Sequence, residues 1–203
     1  GIPRDHPVGV LDLACGNLRF ERCLAERGAS GDAWVVDNSA GLMGEGELVP
    51  GGLRVHRRLL DIARTLYEAD DGGLGQALVV PQVDLAVCFG FMHHLPYPAH
   101  RLEVLRALLG HVRTGGLVAV TFWQLEHSPR LLAKARRLDG GGTGDYLLGW
   151  QDRDDVARYC HSFSEGEVDL LSEGCAPVAE ELVRFSADGR SGDLNRYLVL
   201  RRR

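Results

Sequence analysis

The chain has 203 residues, 45% hydrophobic and 25% charged, a length that suits one domain able to bury its own core without staples or metals. A net charge of −5 argues against a chain coated for nucleic acid, although a local basic face is compatible with it. No apolar run approaches the ~18 residues of a membrane span.

Segments then alternate in type along the chain. Residues 8–14 are a short apolar run, read as a buried strand, and 18–27 carry a rough helical pattern closed by Gly28. Residues 33–36 read as a second strand ending in Asp37-Asn38-Ser39, where Ser39 caps a short helix through Met43. A third strand is expected over 53–60, a helix over 62–69 and a polar, Gly-rich loop over 70–75. Residues 83–89 form a fourth strand, 98–112 an amphipathic helix, and Thr114-Gly115-Gly116 a turn into a fifth strand over 117–122.

Beyond that point the pattern changes. Residues 129–138 read as a basic helix with Arg130, Lys134, Arg136 and Arg137, and 139–143 as a flexible Gly-rich loop. Ser164 and Glu167 form a capping box that opens a helix to Glu173. Residues 177–185 and 194–200 read as strands of a hairpin joined by the turn 187–192. The expected fold is α/β, a doubly wound, mostly parallel seven-stranded sheet with helices on both faces and a C-terminal antiparallel hairpin. Ligands of such sheets bind at the carboxyl ends of the strands, near the switch in strand order.

Several residues fall at those ends. Gly16 sits where the chain must turn sharply and let a ligand approach its backbone, next to a helix N-terminus with free N–H groups. Asp37, 21 residues later, can accept hydrogen bonds from both hydroxyls of a ribose, and Asp61 is placed for an adenine amino group. Either aspartate could instead serve only as a helix N-cap. A dinucleotide site would want glycines at positions 14, 16 and 19, which here hold Ala14, Gly16 and Arg19. The five cysteines (Cys15, Cys23, Cys88, Cys160, Cys175) are odd in number and show no CxxC spacing. Reduced thiols, no metal site and a cytoplasmic location are the expectation.

This set resembles the class I S-adenosylmethionine-dependent methyltransferases over nearly the whole chain. Their first motif reads as a strand, an acidic residue and then Gly-x-Gly-x-Gly; Asp12 and Gly16 match, and Ala14 and Leu18 replace two glycines. Asp37, Asp61, the VDLAVCFGFMHHLP segment (83–96) and RTGGLVAVTF (113–122) match further motifs. The resemblance implies a single domain over 1–203, with a cofactor-binding core in 1–125 and the substrate side in 126–203. It implies S-adenosylmethionine held by Asp12, Ala14, Cys15, Gly16, Asn17, Asp37, Asn38, Asp61, Ile62, Cys88, Phe89, Gly90 and His93.

GDYLLGW (144–150), RYCHSF (158–163) and Asn195 resemble the tRNA wobble-uridine carboxymethyl methyltransferases. Gly149, Cys160 and Arg196 depart from that pattern. The likeness implies a substrate pocket of His94, Asp145, Trp150, Arg158, Tyr159, His161 and Asn195, and a tRNA or small-molecule acceptor. Eukaryotic members act with a small zinc-binding partner, so an activating partner is a further expectation. Arg158 suits a carboxylate acceptor, which needs no base; His161 or His93 would serve an amine or hydroxyl. The bland alternatives are that His93 and His94 close a loop, His161 is structural and Trp150 is core.

Overall fold

The structure is a computed structural model. It describes residues 6–44, 52–69, 72–150, 153–187 and 193–203, without the side chains of Trp150 and 153–155. The first half alternates as expected: β1 (Val8–Leu13), α1 (Arg19–Glu26), β2 (Ser30–Asp37), α2 (Ala40–Met43), β3 (Gly52–Leu59), α3 (Ile62–Glu68), α4 (Gly73–Ala77), β4 (Val83–Cys88), α5 (Pro98–His111) and β5 (Val112–Trp123). Then come α6 (Pro129–Leu132), β6 (Ala135–Arg137), β7 (Asp145–Trp150), β8 (Arg153–His161), α7 (Glu165–Glu173), β9 (Ala179–Ser186) and β10 (Asn195–Arg202).

Seven strands form one sheet in the order β3-β2-β1-β4-β5-β10-β9. β1 to β5 run parallel, and β10 is antiparallel to both of its neighbours. The order reverses between β1 and β4, which puts the switch point at the carboxyl ends of those two strands. Strand alternation sorts the apolar residues between two layers. Leu11, Leu13, Val118, Val120 and Phe122 face a large core closed by α3, α4, α5 and α7. Val10, Ala33 and Val35 face a smaller core under Leu18 and Leu24, which α1 and α2 cover.

The structure corrects three expectations. Within the expected 70–75 loop, residues from Gly73 onward form α4, because Leu74 is fully buried and its N–H donates to the Glu103 carboxylate at 3.0 Å; residues 70 and 71 lie outside the described ones. The turn expected at 114–116 is part of β5, which starts at Val112 and absorbs the glycines in an irregular register against β4. The basic helix stops at Leu132, and Ala135–Arg137 is instead a strand paired with β7, so its four cations do not share one helical face.

The motif segments 144–150 and 158–163, which had no assigned element, join β6 in a second sheet, β6-β7-β8, fully antiparallel. It is an insert between β5 and α7. It docks over the carboxyl ends of β4 and β5: Phe163 N–H donates to the Trp123 carbonyl (2.8 Å) and Leu125 N–H to Ser162 Oγ (2.9 Å). A small cluster of Leu125, Tyr146 and Leu194 fills the seam.

Candidate functional site

The loop after β1 takes three left-handed residues in five: Ala14 at φ 62°, Gly16 at 53° and Leu18 at 59°. Glycine is the usual occupant of such backbone, so the chain keeps the glycine-rich loop's conformation with alanine and leucine in two of its places. Leu18 is fully buried in the smaller core, which compensates its strain. Gly16, and Gly90 at φ 71° beyond β4, have open space where a Cβ would stand. Two backbone segments are thus bared at the switch point, and no side chain caps the α1 N-terminus between them.

Asp37 ties the loops together. One carboxylate oxygen accepts the Gly16 N–H at 3.0 Å and the other the Ser39 N–H at 2.9 Å, so each oxygen keeps capacity for one further donor. Asn38, beside it, and Asn17 are exposed. Asp61 is the N-cap of α3, accepting the Arg64 N–H at 2.9 Å, with Ile62 buried beneath. Cys15 and Cys88 are buried thiols that burial pushes up in pKa, so neither is a ready nucleophile. The Cys88 side chain packs in the main core rather than framing a ligand, a correction caused by strand alternation. Phe89 instead faces the opposite layer, its ring edge-on to Phe20 (5.3 Å) and Tyr197 (5.8 Å).

Under the loop, Asp12 and Glu21 form a pair of buried acids. Burial and the neighbouring Glu21 charge push Asp12 well above the carboxylate range, and burial raises Glu21 too. Among the described residues, neither Glu21 oxygen has a donor in good hydrogen-bond geometry. The sequence reading passed over Glu21; the signal was a charged residue on the buried stripe of an otherwise ordinary helix.

His93 and His94 follow β4 in a short 3₁₀ turn. His93 is 1% exposed, stacked on Trp123 with ring centroids 3.7 Å apart and planes at 10°, and neither of its ring nitrogens has a hydrogen-bond partner among the described residues. Burial, with the charges of His94 and Arg158 adding to it, holds it well below its usual pKa, so it is neutral at pH 7. His94 meets the Tyr159 carbonyl through Nδ1 at 3.2 Å, which carries the proton on that nitrogen. Arg158, on β8, places its guanidinium 5.8 Å from the Trp123 ring centre. Asn195 lies opposite Trp123 in the β10–β5 register. Trp123, which no motif singled out, is therefore the centre of this wall. Trp150 ends β7, and its side chain lies outside the described residues.

Asp145, Tyr159 and His161 do come together, but mainly with one another. Both Tyr159 Oη–H (2.5 Å) and His161 Nδ1 (2.6 Å) reach Asp145 Oδ1, and His161 Nε2 reaches Glu167 Oε1 at 2.7 Å. With both nitrogens engaged by carboxylates, His161 offers none to a methyl acceptor. A cavity of about 570 Å³ lies at the amino ends of β1, β4 and β5, among Val8, Leu24, Leu85, Arg113 and Leu117, at the other end of these strands from all these groups.

Comparison with known proteins places this architecture. The chain has the fold of the S-adenosylmethionine-dependent methyltransferases. It superposes on one from Methanosarcina mazei with a TM-score of 0.70, at 16% identity, over 97% of this chain and 92% of the other. A magnesium protoporphyrin IX methyltransferase from Synechocystis, solved with bound S-adenosylmethionine, matches at TM-score 0.59 and 14% identity over 97% and 71%. In sequence, a protein of Encephalitozoon cuniculi that carries a methyltransferase name is 29% identical over 104 residues. That match covers 49% of this chain, and the chain spans about half the length of that relative, 49%. No protein-family model matches.

Proposed function

We propose that the chain is an S-adenosylmethionine-dependent methyltransferase. The observation that carries this is the pair of bared backbone segments at Gly16 and Gly90, set at the switch point beside the Asp37 carboxylate. The bound cofactor would supply a methyl group on a sulfonium, already an activated leaving group. Gly16 and the free α1 amides would hold its carboxylate, and the spare acceptor sites of Asp37 its ribose hydroxyls. Asp61 and Ile62 would flank the adenine, and Phe89, Gly90 and His93 the donor end. What remains for the protein is to hold the acceptor in line, a contribution of up to roughly 7–11 kcal/mol.

The acceptor in this proposal is an anion, with the carboxylate of a modified tRNA wobble uridine as the specific case. It is supported by Arg158 at the wall and by the resemblance of 158–163, and an ionised carboxylate needs no base to take it to reaction. A small-molecule acceptor is the alternative, and structural neighbours include enzymes of that kind. Salt separates the two: activity on tRNA should fall steeply with ionic strength, and activity on a small neutral acceptor should not. Turnover by the isolated chain would dispense with an activating partner.

Calorimetry with S-adenosylhomocysteine tests the cofactor site. Wild type should bind in the micromolar range, Asp37→Ala should bind at least about tenfold more weakly, and Gly16→Val should not bind. The valine Cβ meets no protein atom within 4 Å, but Gly16 stands at φ 53°, where a side chain is strained, so circular dichroism must show a folded variant before its lost binding is read as a blocked approach to the backbone. A folded wild type that binds neither S-adenosylhomocysteine nor S-adenosylmethionine would end this reading.

A further inference from the structure

The residues around His161 form a charged network larger than docking a small sheet requires. Four elements contribute: Arg101 from α5, Asp145 from β7, Tyr159 and His161 from β8, and Glu167 from α7. Besides the contacts of His161 given above, Arg101 reaches Glu167 Oε1 at 3.5 Å and Tyr159 Oη at 3.4 Å. Each carboxylate is also held by its own backbone. Gly142 N–H donates to Asp145 Oδ2 (2.8 Å), and Ser164 N–H to Glu167 Oε2 (2.9 Å). Burial raises the pKa of both acids, but hydrogen bonds from Tyr159, His161 and Gly142 to Asp145, and from Ser164 and His161 to Glu167, outweigh it and leave both lowered. Each nitrogen of the ring thus faces a carboxylate oxygen that its own element holds in place.

The backbone is shaped around this ring. Gly144, at φ 95°, has no room for a side chain: a Cβ would stand 2.5 Å from the Ser162 carbonyl oxygen and 3.3 Å from His161 Cε1. Buried ionic networks contribute little net stability, since desolvation offsets the attraction, and their best-attested use is to fix register. This one fixes two things at once. Arg101 also donates to the carbonyls of Leu95 (2.8 Å) and Pro96 (3.3 Å), which anchors the turn carrying His93 and His94. On β8, Tyr159 and His161 share one face, and Arg158 with Cys160 takes the other.

We infer that His161 is a positioning residue: by bridging Asp145 of β7 to Glu167 of α7 it fixes the strand that carries Arg158 and so sets that guanidinium against Trp123. Describing the Trp123 wall as an acceptor site rests on the methyltransferase reading; the bridge itself does not.

The test uses the full chain labelled with 5-fluorotryptophan, whose fluorine resonances are assigned by single Trp→Phe variants. Arg158→Ala defines the Trp123 resonance without the guanidinium. His161→Ala should move the Trp123 resonance toward that position and leave the Trp34 resonance, in the far half of the sheet, in place. His161→Gln, whose amide N–H can still reach one of the two carboxylates, should return it part of the way. S-adenosylhomocysteine affinity should stay within about twofold of wild type, as for distant sites. A Trp123 resonance unmoved in folded His161→Ala overturns the inference; where that variant does not fold, an unmoved resonance in Glu167→Ala, which cuts the bridge at its α7 end, does so. A wild type that fails to bind S-adenosylhomocysteine sinks the methyltransferase reading and leaves this measurement to decide the bridge alone.

Discussion

Ala14 and Leu18 both sit in left-handed backbone, yet replacing each with glycine should have opposite effects. A non-glycine residue there carries about 1–2 kcal/mol of strain, and glycine costs about 0.4–1 kcal/mol through a freer unfolded chain. Ala14 has only a methyl group to lose, so Ala14→Gly should raise stability by about 0.5 kcal/mol. Leu18 is fully buried, and emptying such a site costs about 2–5 kcal/mol, more than the strain released. Leu18→Gly should therefore lower stability by about 2 kcal/mol or more, and urea unfolding of the two variants checks both signs. Glu21 is the other residue with a clear consequence. Its folded-state pKa is raised, so its contribution is fully present below about pH 4 and is lost as pH rises through the folded value. Glu21→Gln removes that loss and gives Asp12 a donor. It should stabilise the chain by about 1–3 kcal/mol at pH 7, with the gain fading toward pH 4; equal stability of variant and wild type at pH 7 would show that the pair costs nothing.

At the scale of elements, what was legible followed a period. The strands before Gly16, Asp37, Asp61 and Phe89 were legible as short segments, and all end within about a residue of where the structure ends them. The capping box of Ser164 and Glu167 opens α7 as expected, with both reciprocal bonds formed. The insert was not legible as structure. Its strands are edge-like and half-polar, and their placement is set by contacts with Trp123 and Arg101 that lie far away in sequence. The same reason hid half of the site. Asp145, Tyr159 and His161 were visible as a set of polar residues, but only the fold shows that they bind one another and leave Arg158, His93 and Trp123 at the wall. The basic helix failed through propensity: Arg130, Lys134, Arg136 and Arg137 fit a helix locally, and pairing of Ala135–Arg137 with β7 overrides it.

For the whole molecule, these two pairs of acids answer pH with opposite sign. Asp12 and Glu21 stand at the β1–α1 seam with raised pKa values, so acid favours the native form of that seam. Asp145 and Glu167 clamp the insert with lowered values; their stabilisation is present above the unfolded values of about 4 and is lost as pH falls through the folded ones. Acid should therefore release the insert before it loosens the sheet. Hydrogen exchange at about pH 3 should show lost protection in β7 and β8 while β1, β2 and β4 stay protected, relative to pH 6 and corrected for intrinsic rates. Tryptophan signals should follow the same order, Trp123 changing before Trp34, which pairs with Leu11 inside the sheet. Loss of both regions in a single step would mean that the insert and the sheet form one cooperative unit, with the network around His161 too weakly coupled to pH to separate them.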